Sequence, residues 1–123
     1  MAYLTDRKRA VGMGSSKTGT EHHWHMIVTS VMLVGLVPQF IFTFGSALGG
    51  AHEEVLAYYS RPYPALVAAL TFLVGFVHFK NGAMALFEDY TRGHARKAWI
   101  IGTTCLCYTA AAVALFAIAQ IAL

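Results

Sequence analysis

The chain is organised around residues 77–90, which read VHFKNGAMALFEDY. They place one histidine, His78, inside an apolar run and an acid–phenol pair, Asp89 and Tyr90, where that run ends. An ionisable side chain at bilayer depth costs free energy and is therefore a functional candidate. On a helix, eleven residues at about 100° each make three turns plus roughly 20°. His78 and Asp89 are thus predicted to share one face, about 16 Å apart along the axis.

The composition indicates a membrane protein. Of 123 residues, 57% are hydrophobic and 12% are charged, whereas about 25% of a soluble domain is charged. Charges are nearly absent from three windows, each long enough to cross about 30 Å of hydrocarbon: residues 26–48, 65–87 and 98–123. Backbone groups in lipid must be satisfied within their own segment, so these windows are predicted to be helices.

The predicted fold class is therefore an all-α membrane protein with three transmembrane helices. The predicted domains are a cytoplasmic tail, residues 1–24, and a three-helix anchor, residues 25–123, with helices at about 25–48, 65–90 and 97–123. One such unit occupies the chain and leaves no room for a soluble catalytic domain. The start of the chain lacks the apolar core of a secretory signal.

The distribution of lysine and arginine predicts the orientation. Positive residues concentrate in the tail and between helices two and three: Arg7, Lys8, Arg9, Lys17, Arg92, Arg96 and Lys97. The link between helices one and two has only Arg61, offset by Glu53 and Glu54. Because positive loops stay inside, the N-terminus is predicted to be cytoplasmic and the C-terminus periplasmic. No basic face is large enough for nucleic acid, which is not an expected partner.

The interfacial histidines and the cysteines are weaker candidates. His22 and His25 are spaced so that both could bind one metal ion, but the more economical interpretation is solvated or headgroup-facing histidines. Cys105 and Cys107 point to different sides of helix three, so they are interpreted as small hydrophobic residues.

The face of helix two around His78 is almost bare of side chains. Counted from His78, Gly75 lies near +60°, Gly82 near +40° and Ala85 near −20°, at about 100° per residue. Small residues at this spacing allow close helix packing. They also leave room for a flat haem ring ligated by His78. The imidazole favours the second interpretation, because a packing face has no need of it.

Polar neighbours of this face have two interpretations each. Lys80, at about 200° from His78, either reaches along the helix towards the headgroups or meets a propionate or a partner carboxylate. Asn81 could bond a neighbouring helix or a propionate. Glu88 and Asp89 oppose the helix dipole unless Arg92, Arg96 or a partner compensates. They are either ordinary interfacial charges, or Asp89 relays protons while Tyr90 donates to a ligand oxygen.

These residues resemble a known family. His78, ten intervening residues and Asp89-Tyr90, at the cytoplasmic end of the second of three helices, resemble the smaller membrane-anchor subunits of succinate dehydrogenase, respiratory complex II. Residues 14–24, GSSKTGTEHHW, resemble the alphaproteobacterial versions, which run Gly-Ser-Ala-Lys-X-Gly-Thr before His-Trp.

The resemblance implies a shared haem b and a ubiquinone site. His78 would be one axial iron ligand, with Gly75, Gly82 and Lys80 beside the ring, and a second anchor subunit of the cytochrome b556 type would supply the other ligand. Tyr90 would bond a ubiquinone carbonyl and Asp89 would supply protons. The flavoprotein and iron–sulfur subunits would dock on the cytoplasmic side of the bacterial inner membrane, or its mitochondrial counterpart in a eukaryote. This chain alone would hold no complete active site.

One departure and two alternatives accompany the resemblance. Family members commonly carry an arginine where this chain has Ile27, before Val28-Thr29, so the charge near the propionates must come from elsewhere. An alternative is a structural or transport subunit in which His78, Lys80 and Asp89 line a proton or ion path. A di-haem cytochrome b fragment is disfavoured, because it needs more histidines within the membrane.

Overall fold

The computed structural model describes residues 3–15 and 19–123, and this part of the chain is helical, without strands. Its five helices are α1 Asp6–Val11, α2 Gly19–Ala47, α3 His52–Tyr59, α4 Pro62–Tyr90 and α5 Gly93–Ala122. The predicted all-α class is confirmed. Residues 16–18, which contribute Lys17 to the positive tail and part of the GSSKTGT motif, lie outside the described residues.

Three of these helices, α2, α4 and α5, are long and apolar enough to cross a membrane, as predicted. Each begins earlier than its apolar window, at Gly19, Pro62 and Gly93 rather than near residues 25, 65 and 97. The added turns are polar or contain proline, so hydropathy alone did not include them. Pro62 fits the first helical turn, because its fixed φ suits a helix and its missing N–H would have no partner there.

Helix α4 lies in the centre of the molecule. It packs against both α2 and α5, which do not pack on each other within the described residues. Most buried side chains belong to α4, and small ones such as Ala65 and Ala68 allow its neighbours to approach closely. Large apolar side chains of α2 and α5, including Phe42 and Phe116, remain exposed. These two helices therefore present broad apolar faces to the surroundings.

The short connections fix which ends meet. Between α2 and α4, helix α3 begins where the Glu54 carboxylate accepts a hydrogen bond from the Ala51 N–H at 3.1 Å. Only Thr91 and Arg92 separate α4 from α5, and the turn uses Gly93 at φ 63°, a backbone conformation open to glycine. The end of α4 therefore lies at the same end of the molecule as the starts of α2 and α5.

The tail contains a helix that the sequence interpretation omitted. Helix α1 begins after Thr5, whose hydroxyl accepts a hydrogen bond from the Lys8 N–H at 3.3 Å. A threonine followed by an acidic residue, Asp6, is a recognised helix start. This pattern could have predicted α1 from the sequence. Helix α2 continues through Pro38, as membrane helices allow.

Candidate functional site

His78 lies half-buried in the inner part of α4, on the side that faces α2. Its Nδ1 atom is 3.0 Å from the hydroxyl oxygen of Thr29 on α2. No described residue makes a hydrogen bond to the other ring nitrogen, Nε2. The imidazole is therefore held at one nitrogen and available at the other.

The two glycines beside His78 do not serve close packing within this chain. A Cβ atom built on Gly75 would meet nothing within 4 Å, and one on Gly82 would meet only the Met26 Cε at 3.8 Å, an ordinary contact. Gly75 also lies in an open groove of about 400 Å³, lined by Thr71, Phe72, Gly75, Phe76 and Phe79. At Gly75 the surface of α4 thus faces space that this chain leaves unfilled, whereas Gly82 lies beside the Met26 side chain.

Asn81, one turn beyond His78, has a carboxamide that makes no hydrogen bond to the described residues. The residue is 6% exposed overall. Among the described residues no fully buried side-chain nitrogen or oxygen lacks a partner, so the polar atoms of this amide reach the surface of the chain. Asn81 is therefore a side chain available to a group that comes from outside this chain.

Lys80 points away from His78 and contacts α5. Its ammonium donates a hydrogen bond to the Tyr108 hydroxyl at 3.3 Å and lies 5.2 Å from the centre of the same ring. This contact gives the lysine a partner within the apolar layer. A further contact of Lys80 with a propionate stays a prediction.

Asp89 and Tyr90 lie at the end of α4 and are exposed, Tyr90 to 83%. Neither side chain is hydrogen-bonded to another described residue. Because α4 is one uninterrupted helix from Pro62 to Tyr90, the predicted phase applies: His78 and Asp89 share a face about 16 Å apart. The pair is open to solvent or to a docked partner.

Arg96 of α5 compensates the end of α4. Its guanidinium donates hydrogen bonds to the backbone carbonyls of Glu88 and Thr91, the latter at 3.1 Å. The last carbonyls of a helix lack partners within the helix and carry partial negative charge. The Phe87 ring stacks on Trp99 at 5.6 Å and ties the same turn to α5. A positive charge therefore lies close to the acidic end.

The other candidate metal ligands remain apart. In the described part of the chain, no three His, Cys, Asp or Glu side chains lie close enough to hold one metal ion. His25 instead lies 3.8 Å from the Glu21 carboxylate on the exposed start of α2. Cys107 is buried and Cys105 exposed, so the two thiols point to different sides as expected.

Sequence reasoning missed Thr29 and Tyr108 and left Arg96 as one of several options. The sequence pattern does not predict Thr29 as the partner of His78, although a hydroxyl on another membrane helix is a natural hydrogen-bond partner for an intramembrane histidine. A threonine in a helix can hydrogen-bond to its own backbone, so the sequence does not show whether its hydroxyl also contacts another helix. Tyr108 lies among small residues of α5, and nothing in the spacing connects it to Lys80.

Two comparisons with known proteins match this chain. A sequence model of the family "Succinate dehydrogenase/Fumarate reductase transmembrane subunit" matches residues 1–118. The succinate dehydrogenase hydrophobic membrane anchor subunit of Paracoccus denitrificans is 43% identical over 123 residues, which is 100% of this chain and 95% of that protein. No solved structure matches significantly. The resemblance inferred from the sequence is thus confirmed.

Proposed function

Since the chain belongs to the family of succinate dehydrogenase/fumarate reductase transmembrane subunits, we propose that it anchors a succinate:ubiquinone oxidoreductase to the membrane. In this role it supplies one axial ligand of haem b and part of the site where ubiquinone is reduced. The observation that carries the proposal is His78, an intramembrane imidazole bound at Nδ1 by Thr29 and open at Nε2.

The residues around His78 fit a haem. A ligand nitrogen must carry a free lone pair, and a neutral imidazole whose Nδ1–H donates to an acceptor such as the Thr29 hydroxyl oxygen offers that lone pair at Nε2. The open surface at Gly75 gives a flat ring room beside the ligand, and Asn81 has a free carboxamide for a propionate. The second axial histidine would come from another anchor subunit. When bound, haem b supplies a site that takes up and gives back one electron.

The acid–phenol pair at the end of α4 is suited to binding ubiquinone. Reduction of a quinone consumes two electrons and two protons, so the site needs access to water as well as a hydrogen-bond donor. The exposed Tyr90 hydroxyl would donate to a quinone carbonyl oxygen. Asp89 beside it would take protons from water and deliver them. Arg96, which bonds the carbonyls at the end of α4, would supply positive charge to a quinone oxygen that becomes negative there.

The partners follow from the family to which this chain belongs. The flavoprotein and iron–sulfur subunits of the complex would dock on the cytoplasmic end, beside Asp89 and Tyr90. The exposed apolar faces of α2 and α5 would meet lipid and the second anchor subunit. The assembly would reside in the bacterial inner membrane, with the N-terminus cytoplasmic and the C-terminus periplasmic.

The alternative of a proton or ion path is disfavoured by the directions of its residues. His78 faces α2, where it contacts Thr29, whereas Lys80 faces α5, where it contacts Tyr108. A path needs titratable groups that follow one another along a shared wet surface. These two groups lie on opposite sides of α4.

The ligand proposal is tested by replacing His78 in the complete complex. We expect His78→Ala to abolish the bis-histidine haem b signal in the reduced-minus-oxidised spectrum and in electron paramagnetic resonance. His25→Ala is the matched control, because His25 is exposed at the start of α2, and it should leave both signals intact. An unaltered bis-histidine signal in His78→Ala would defeat the proposal.

A further inference from the structure

Thr29 makes three close contacts through a single hydroxyl. Its oxygen lies 2.9 Å from the His25 carbonyl oxygen, 3.0 Å from the Met26 carbonyl oxygen and 3.0 Å from the His78 Nδ1. A hydroxyl has one proton to donate and two lone pairs with which to accept. The two carbonyls can only accept, and the hydroxyl donates its proton to them in a shared hydrogen bond, which leaves its lone pairs to accept from the imidazole.

This arrangement favours one tautomer of His78. With its proton directed to the carbonyls, the Thr29 oxygen accepts from the imidazole, and the proton of the neutral ring lies on Nδ1. The opposite tautomer would place an N–H at Nε2, where no described residue accepts it, and an unpaired donor in an apolar layer is costly. Both considerations leave the free lone pair at Nε2.

The backbone of α2 makes the position of Thr29 firm. A threonine that bonds the carbonyls of the preceding turn is confined to rotamers that direct Oγ1 at them. The Met26 side chain lies beside Gly82, one turn along, where a Cβ built on the glycine would be 3.8 Å from the Met26 Cε. This pairing of an earlier residue of α2 with a later one of α4 is the register expected of antiparallel helices. The hydroxyl oxygen of Thr29 thus has a fixed position relative to His78, because its rotamer is restricted by α2 and the two helices are packed together.

We infer that Thr29 is the positioning residue of the haem ligand, fixing the ring plane of His78 and raising the basicity of its Nε2 by accepting the Nδ1 proton. The inference rests on the proposed function, in which His78 ligates haem b. Histidines that bind metals usually donate their second ring N–H to an acceptor, which orients the ring and strengthens the ligand. Here a hydroxyl from a different transmembrane helix provides that acceptor.

The test uses the complete complex carrying Thr29→Val, Thr29→Ser or Ser30→Ala, with His78→Ala as reference. Valine keeps the shape of threonine without its hydroxyl, and serine keeps the hydroxyl. Ser30→Ala is the matched control, because Ser30 bonds the same Met26 carbonyl at 2.8 Å and makes no bond to His78. The measurements are the g values of the oxidised haem and its midpoint potential.

We expect Thr29→Val to retain haem with shifted g values and a raised midpoint potential. A ring without its acceptor donates less electron density, so oxidised iron is less stabilised. Thr29→Ser should restore both values, and Ser30→Ala should change neither. Loss of haem from an otherwise assembled Thr29→Val complex would support the same role.

If Thr29→Val does not assemble, Thr29→Ala takes its place, with the same expected shift. Native g values and potential in the variant that lacks the hydroxyl, or an equal shift in Ser30→Ala, would overturn the positioning role. That result leaves the ligand proposal standing as long as His78→Ala abolishes the signal. A native signal in His78→Ala would instead overturn the ligand proposal itself.

Discussion

At the scale of single residues, the molecule separates a half-buried imidazole from an exposed phenol on one helix. His78 has a partner inside the protein, whereas the Tyr90 side chain is 83% exposed and makes no hydrogen bond to the described residues. A phenol in this position contributes little to folding, because it buries little surface. Its hydroxyl is therefore expected to matter for the reaction more than for assembly.

Replacing Tyr90 by phenylalanine tests this expectation. Loss of one hydrogen bond to the quinone should lower ubiquinone reduction by about tenfold, the equivalent of about 1.4 kcal/mol. Succinate oxidation measured with an artificial dye should persist, because that electron acceptor bypasses the membrane site. Both activities are to be measured on the same purified complex.

Tyr63→Phe provides the control for this pair of assays. Tyr63 is a partly exposed tyrosine at the opposite end of α4, where its hydroxyl donates to the Gln39 side chain. It should leave ubiquinone reduction near the native rate. An equal fall of both activities in Tyr90→Phe would argue against a role in quinone binding.

At the scale of elements, the end of α4 is held by the element that follows it. Glu88 and Asp89 lie where a helix dipole disfavours negative charge, and Arg96 supplies the opposite charge through the terminal carbonyls. The stack of Phe87 on Trp99 adds an apolar contact between the same two helices. The turn that carries Asp89 and Tyr90 is thus fixed by α5 rather than by α4 alone.

We expect Arg96→Met to loosen this turn. Hydrogen bonds to a charged group contribute about 1.5–3 kcal/mol, and partial exposure reduces this, so a loss of about 1 kcal/mol is expected. The midpoint of thermal dissociation of the detergent-solubilised complex should fall accordingly. Ubiquinone reduction should also fall, while the haem signal at His78 stays native.

Lys97→Met is the control for charge alone. Lys97 is the adjacent cation, is exposed, and makes no hydrogen bond or ion pair to the described residues. It should leave the dissociation midpoint near the native value. A Lys97→Met complex as unstable as Arg96→Met would show that net positive charge, and not the bonds to the α4 carbonyls, stabilises the turn.

At the scale of the whole molecule, charged side chains gather at one end of the helix bundle. The start of α2, the end of α4 and the start of α5 lie together, and they bring Arg92, Arg96 and Lys97 to the end that also carries Asp89 and Tyr90. Positive loops remain in the cytoplasm. The quinone site and the cytoplasmic docking surface are therefore expected on the same side.

Reporter fusions test this orientation. With an odd number of spans and a cytoplasmic start, the C-terminus after α5 should be periplasmic. Alkaline phosphatase fused there should be active, and green fluorescent protein fused there should be dark, with the reverse result for fusions before α2. Active phosphatase at the N-terminus would contradict the predicted orientation and, with it, the cytoplasmic placement of Tyr90.

The three spans and the phase of the residues along α4 could be predicted from the sequence. Both are local properties: hydrocarbon thickness requires long apolar runs, and a fixed angle per residue relates His78 to Asp89 within one helix. The family could be inferred for a similar reason, because the spacing of His78 and Asp89-Tyr90, the motif at residues 14–24 and the three apolar windows are all local patterns. Helix ends were less well predicted, since polar first turns continue α2 and α5 beyond the apolar windows.

The contacts of each side chain of α4 could not be predicted in this way, because they depend on how the helices pack. The partners Thr29 for His78, Tyr108 for Lys80 and the Glu88 carbonyl for Arg96 all come from a different helix. The period of one helix fixes angles about its own axis, but it does not specify which neighbour lies at each angle or in what register. Those choices depend on how the small side chains of α4 allow α2 and α5 to approach, which is a property of the packed molecule.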